Sequence, residues 1–131
     1  MQLFTKIVLY TDDQGFAQFR EEVVELSQGS PRSMLSALSP SGGYQLRHSP
    51  VGFTKEFHCT KDPQFVFILS GQMQISLQDG SSKTFTAGQH FYSSDLLPDG
   101  ATFDATIHGH QSRQVGAQPL ETLFVRGRIE V

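Results

Sequence analysis

Tryptophan is absent from this chain and cysteine occurs once, as Cys59. A lone thiol cannot close an internal disulfide, so no covalent staple holds the fold, and a reducing, cytoplasmic setting is expected. Long apolar runs are lacking too. The longest, residues 65–69, falls far below the roughly 18 residues that a membrane span requires. Residues 7–10 form the apolar run nearest the N-terminus, and Asp12 and Asp13 follow soon after, which does not make the apolar core of a secretory signal. Charge of one sign is also missing. Lys and Arg number 10 against 13 Asp and Glu, for a formal net charge of -3 with no basic block. Binding driven by nucleic-acid phosphates therefore has no electrostatic footprint. The partners expected are a small-molecule ligand and a second copy of the chain in a homodimer, with no nucleic acid and no membrane.

What is present points to strands. The chain has 131 residues, 11 of them phenylalanine and 12 glycine. Short alternating segments are separated by turn residues at close intervals, the pattern of an all-β, antiparallel barrel or sandwich. In the clearest segment Met73, Ile75 and Leu77 alternate with Gln72, Gln74, Ser76 and Gln78, which sends the apolar side chains to one face. Asp79 and Gly80 then predict a two-residue type I′ hairpin into a return strand starting at Thr84. Further strands are predicted at residues 3–10, 33–38, 44–48, 53–59, 64–69, 89–93, 102–107, 111–115 and 120–126. Residues 16–26 fit either a helical stripe through Phe16, Phe19, Val23 and Leu26 or an extended edge strand over 19–26. The length suits one core, hence a single domain over residues 1–131.

One spacing is specific. Gly52, His58, Thr60, Gln64 and Gly71 stand at the positions of the first signature motif of the cupins, with Thr60 where that motif has its second histidine and Gln64 where it has its glutamate. Residues 80–88 resemble the opening of the second motif, with Thr86 where proline is usual. Residues 96–105 then read as an insertion, after which His110 aligns with the last histidine and Gln114 with the asparagine that often follows it. The turn and strand in 114–126, Asp12 to Phe19 and Ser49 to Phe53 echo small single-domain bacterial cupins. The resemblance implies a double-stranded β-helix, the jelly-roll or cupin barrel, with a ligand cavity, often dimeric. It also implies a metal site, here partly degenerate: one divalent ion (Zn, Fe, Mn or Ni) held by His58, His110, His108 and Gln64, or else no cofactor.

Strand geometry sharpens this. Alternation places Thr54, Glu56, His58 and Thr60 on one face, so Glu56 accompanies His58 if that face lines the cavity. His58, His110 and Glu56 are the catalytic candidates. Gln64 offers a neutral amide and Thr60 a weakly coordinating hydroxyl, so the set lacks the anionic charge of the usual cupin site. Cys59 makes no nucleophile–base pair with His58, because adjacent strand residues point to opposite faces, and reads as a small apolar side chain. Arg47, Arg113 and Arg126 read as exposed partners of Asp or Glu, or as contacts for an anionic ligand. His48 and His90 carry no assigned role, and the Gly42–Gly43 pair is a turn without phosphate-loop spacing.

Whether the chain is an enzyme stays open at this level. One expectation is a barrel that binds a small polar metabolite, with a metal supplying Lewis-acid or oxygen chemistry. A second is a non-catalytic ligand-sensing or dimerisation module. A third is a metal-free epimerase or isomerase that uses His58 or His110 as its base.

Overall fold

The structure, a computed structural model, describes residues 2–127. Twelve strands occur among them: β1 (Gln2–Thr11), β2 (Ala17–Leu26), β3 (Gln28–Ser30), β4 (Ser33–Leu35), β5 (Tyr44–Ser49), β6 (Thr54–His58), β7 (Gln64–Ser70), β8 (Gln72–Ser76), β9 (Ser82–Thr86), β10 (His90–Ser94), β11 (His110–Val115) and β12 (Leu120–Arg126). No helix among the described residues is long and apolar enough to cross a membrane.

Two sheets carry the architecture. A six-stranded sheet runs β2-β1-β10-β7-β12-β5 and a four-stranded sheet β6-β11-β8-β9, while β3 and β4 form a small hairpin of their own. The ambiguous 16–26 segment is a strand, because β1 offers it a full antiparallel ladder from Gln2↔Leu26 to Thr11↔Ala17. Asp12 closes that hairpin by accepting the amides of Gln14 and Phe16, both at 2.9 Å. The sheet is not wholly antiparallel, since β1 joins β10 in parallel, Ile7 beside Phe91 and Val8 beside Tyr92.

Three predicted local features differ. Residues 102–107 form no strand, because the Asp104 carboxylate caps a turn there. It accepts the Thr106 amide at 2.9 Å and the Thr106 hydroxyl at 2.7 Å, a local bond that competes with any ladder. The Asp79–Gly80 turn is not type I′, which needs positive φ at both central residues. Only Gly80 has it, at φ 86°, and the Leu77 amide pairs with the Ser81 carbonyl at 2.9 Å, so the loop is the three-residue kind with glycine last. The strand expected at 33–38 ends at Leu35, within the short hairpin.

Alternation decides what is buried. Val66 and Ile68 on β7, Met73 and Ile75 on β8, Phe85 on β9 and Phe91 on β10 turn toward the space between the sheets, and with Leu9, Ala17, Leu77 and Leu120 they form one core cluster. The opposite face of the six-stranded sheet is also apolar. Cross-strand pairing aligns Leu46, Leu123, Phe67 and His90 in one row, and Tyr44, Val125, Phe65 and Tyr92 in the next. Lys6 covers the second row with its ammonium 5.7 Å from the Phe65 ring centroid.

Two motif glycines separate backbone strain from steric contact. Both have positive φ, but a Cβ at Gly71 would lie 2.3 Å from the Pro119 carbonyl oxygen, whereas one at Gly80 meets nothing within 4 Å. Gly80→Ala should therefore cost about 1 kcal/mol, the left-handed strain alone. Gly71→Ala should cost more than about 2 kcal/mol, because backbone must also move. Urea unfolding of the two variants checks the order, and equal losses would contradict it.

Candidate functional site

A cavity of about 280 Å³ lies between the sheets, beside the core. Val66, Met73, Ile75 and Phe91 belong to both, so the core forms the cavity floor. Most of the other lining side chains are polar, with Phe124 an apolar exception.

The structure brings His58 and His110 together, with ring centroids 4.6 Å apart. Register explains the meeting, because His58 on β6 pairs with His110 on β11. The next pair is Lys55↔Ser112, so β6 spends one more residue than β11 on the same stretch, a β-bulge. The bulge turns Lys55 and His58 both toward the cavity. It also corrects the expectation for Glu56, which lies on the outer surface and accepts a hydrogen bond from Gln111 Nε2 at 3.2 Å. Just past β6 the chain bends, and Cys59 and Thr60 line the cavity as well. Strict alternation, which would have put Cys59 on the far side, ends with the strand.

Each imidazole is held by its Nδ1. His58 Nδ1 donates to the Glu56 carbonyl at 2.6 Å. His110 Nδ1 donates to Asp95 Oδ2 at 2.8 Å, and Asp95 Oδ1 accepts the Thr11 hydroxyl at 2.7 Å. Asp95 and His110 are buried, at 0% and 5% exposure. These bonds place the proton on Nδ1 in both rings and leave each Nε2 as the free lone pair. Asp95 sits where a carboxylate orients a histidine for proton transfer or for ligation. Sequence reasoning missed it, although the signal was present: Phe91 and Ser93 alternate inward along β10, and Asp95, one residue past its end, keeps the same period.

The remaining sequence candidates divide. Gln64 lines the cavity, and its side chain bonds to no other described residue. Thr60 is tied by its hydroxyl to Ser93 Oγ at 2.5 Å and by its amide to the Asp95 carbonyl at 2.8 Å, so it braces the Asp95 turn. His108 does not join the pair. Its Nδ1 accepts the Asp104 amide at 3.0 Å, the opposite tautomer, and its ring packs beside Gly15 outside the cavity. Gln114 is a strut, bonding the Gly52 amide at 2.8 Å and the Gln118 carbonyl at 2.7 Å.

The divalent ion that the motif implies needs a convergent set of donors. Among the described residues no group of three His, Cys, Asp or Glu side chains is placed to share a metal. Two imidazoles and one amide reach the three donors of a catalytic site only by counting a weakly coordinating amide oxygen, and they supply no anionic ligand. The residues present do not fit a tightly held metal.

Burial sets the protonation of the site. His58 is pushed down from its ordinary 6.5 to about 4, chiefly because burial disfavours the cation, with His110, Lys55 and Arg47 adding to this against the opposing bond to Glu56. The Cys59 thiol is pushed up to about 11, first by burial and then by the charge of Asp95, which keeps it protonated and poorly nucleophilic.

No family model matches the sequence, and no curated protein matches it. Among solved structures the chain is similar to the Schizosaccharomyces pombe Cnp3 cupin domain, at 15% identity with a TM-score of 0.50, covering 95% of this chain and 83% of that one. It is also similar to the Cupin_2 domain of an XRE family transcriptional regulator from Enterobacter cloacae, at 15% identity with a TM-score of 0.36, covering 98% of each. The two-sheet topology and the first of these likenesses define the class: the chain has the cupin jelly-roll fold.

The lowered His58 pKa links pH to stability. Between pH 6.5 and about 4 the unfolded histidine takes up a proton that the native ring refuses, so stability falls as pH drops through that window and levels off below it. Thermal melts across this range, compared with His58→Gln, should show the wild-type slope reduced in the variant. An unchanged slope would mean that His58 titrates normally.

Proposed function

We propose that this cupin-fold domain binds a small polar metabolite in the cavity between its sheets, oriented by His58 and His110. The observation that carries the reading is the pair of rings, each anchored through Nδ1 so that Nε2 is left for a ligand in a half-open cavity of about 280 Å³. That volume is just under the roughly 300–1,000 Å³ of drug-sized pockets, which suits a small metabolite. Gln64 and Ser112 add neutral hydrogen-bonding groups to the cavity lining.

The buried Asp95–His110 pair favours a second reading, metal-free proton transfer, with His110 Nε2 as base, Asp95 holding the ring, and His58 as a neutral partner across the substrate. A sensing module would use the same contacts without turnover. Thermal-shift screening with sugars and hydroxy acids tests binding first. A stabilising ligand should lose about tenfold or more in affinity in His110→Ala, the scale of one or two lost hydrogen bonds. Turnover that Asp95→Asn depresses in kcat with little change in KM would establish the enzyme. Treatment with chelator should leave binding unchanged, whereas loss of binding restored by Zn²⁺, Fe²⁺, Mn²⁺ or Ni²⁺ would return the metal to the site.

The proposal includes a cytoplasmic homodimer. Leu46 and Tyr44 on the edge strand β5 are 68% and 70% exposed, and their cross-strand rows carry apolar side chains on across β12 and β7. Apolar patches of this kind mark interfaces. Light scattering should give twice the chain mass for the wild type and the single mass for Leu46→Glu, whose exposure spares the core. A monomeric wild type overturns the dimer.

A further inference from the structure

Arg47 is the group that neither the motif nor the proposed proton chemistry uses. Its guanidinium lies between two rings, 5.1 Å from the Phe53 centroid and 4.8 Å from that of Phe124, and the residue lines the cavity. Its Nε and Nη2 atoms are buried and have no hydrogen-bond partner among the described residues. Burial of a cation without a partner is costly, and native proteins keep such groups paired or give them a ligand. Nε and Nη2 lie on the same edge of the planar guanidinium, and together they present two parallel N–H bonds spaced to match the two oxygens of a carboxylate.

The surroundings carry the same sign. Lys55, Lys61 and Arg126 also line the cavity, and the carboxylate among its lining side chains, Asp62, is engaged by Arg126 at 2.9 Å. This cationic lining stands out in a chain whose formal net charge is -3. The two aromatic rings hold the guanidinium plane in place, so little side-chain freedom remains to be lost on binding.

We propose that the ligand of this cavity is a small carboxylate, held by the guanidinium of Arg47 with its polar remainder facing His58 and His110. The inference rests on the cavity being a ligand site and names the chemical class that the site takes. Desolvation also lowers the pKa of Arg47, in keeping with a cation that gains from an anionic partner.

The test is titration of the ¹⁵N-labelled full chain, at constant ionic strength, with acetate, succinate and benzoate. Their neutral amides acetamide, succinamide and benzamide serve as matched controls, and inorganic phosphate as a second oxyanion. At least one carboxylate should shift the amide resonances of residues 47, 58, 110 and 112, its amide should bind about tenfold or more weakly, and phosphate should rank below the carboxylate. Arg47→Met keeps an apolar stem between Phe53 and Phe124 and removes the fork, so carboxylate affinity should fall about tenfold to a hundredfold, the scale of losing charge-assisted hydrogen bonds. Arg47→Lys keeps the charge without the fork and should fall between the two. Dispersed spectra of both variants confirm folding. Equal binding of a carboxylate and its amide, or undiminished binding to Arg47→Met, overturns the carboxylate and leaves the pocket standing. Tighter binding of phosphate assigns the fork to a tetrahedral oxyanion and overturns the carboxylate as well. If none of the seven probes moves a cavity resonance, both the carboxylate and the pocket fall.

Discussion

The close passage of Gly109 against His58 is the constraint on which the cavity depends. A Cβ at Gly109 would lie 2.6 Å from the His58 carbonyl oxygen and 2.8 Å from its nitrogen, and the residue sits at φ +85°. Only glycine allows β11 to begin this near β6. The approach places His110 directly across from His58, and the extra residue of β6 is accommodated just beyond that pair as a bulge. Bulged strands re-aim side chains, and here Lys55 joins His58 in facing inward while Glu56 is left outside. The polarity of the cavity thus follows from one backbone contact.

Around that contact the interior is divided between satisfied and unsatisfied polar groups. Asp95, Thr11 and His110 complete one another, as do Gln114 and the loops it ties. Among the described residues, the buried side-chain nitrogen and oxygen atoms without partners belong to Arg47, Ser49 and Thr122, on the neighbouring strands β5 and β12, where Arg47 stands opposite Thr122. Stability is given up locally where a protein needs an interacting group held ready. The apolar floor of Val66, Ile75 and Phe91 lowers the local dielectric, which strengthens any charge-assisted bond made above it and holds His58 neutral.

The strands that alternate strongly were readable in the sequence, as in Met73, Ile75 and Leu77, because burial of one face imposes a period of two. The spacing from Gly52 to Gly71 pointed to the cupin fold and to His58. At Asp104 and Asp79 reading by pattern went astray because a short-range polar bond displaced the ladder. The Asp104 carboxylate turned residues 102–107 into a capped turn, and Asp79, at negative φ, lengthened the hairpin loop beyond two residues. His108 has the spacing to share a face with His110, yet that same turn captures its ring.

Chain order alone determined the all-β class and the first-motif frame around His58, since alternation and glycine placement are local properties of the backbone. It also determined the shortage of anionic donors where the motif expects them, at Thr60 and Gln64. Only the folded chain decided that Asp95 grips His110, that Glu56 faces away, and that Arg47 is left between two rings with two bare N–H groups. Those outcomes join residues far apart in the chain through a bulge and a sheet-to-sheet packing, and a bulge shifts facing by one residue without leaving a periodic trace.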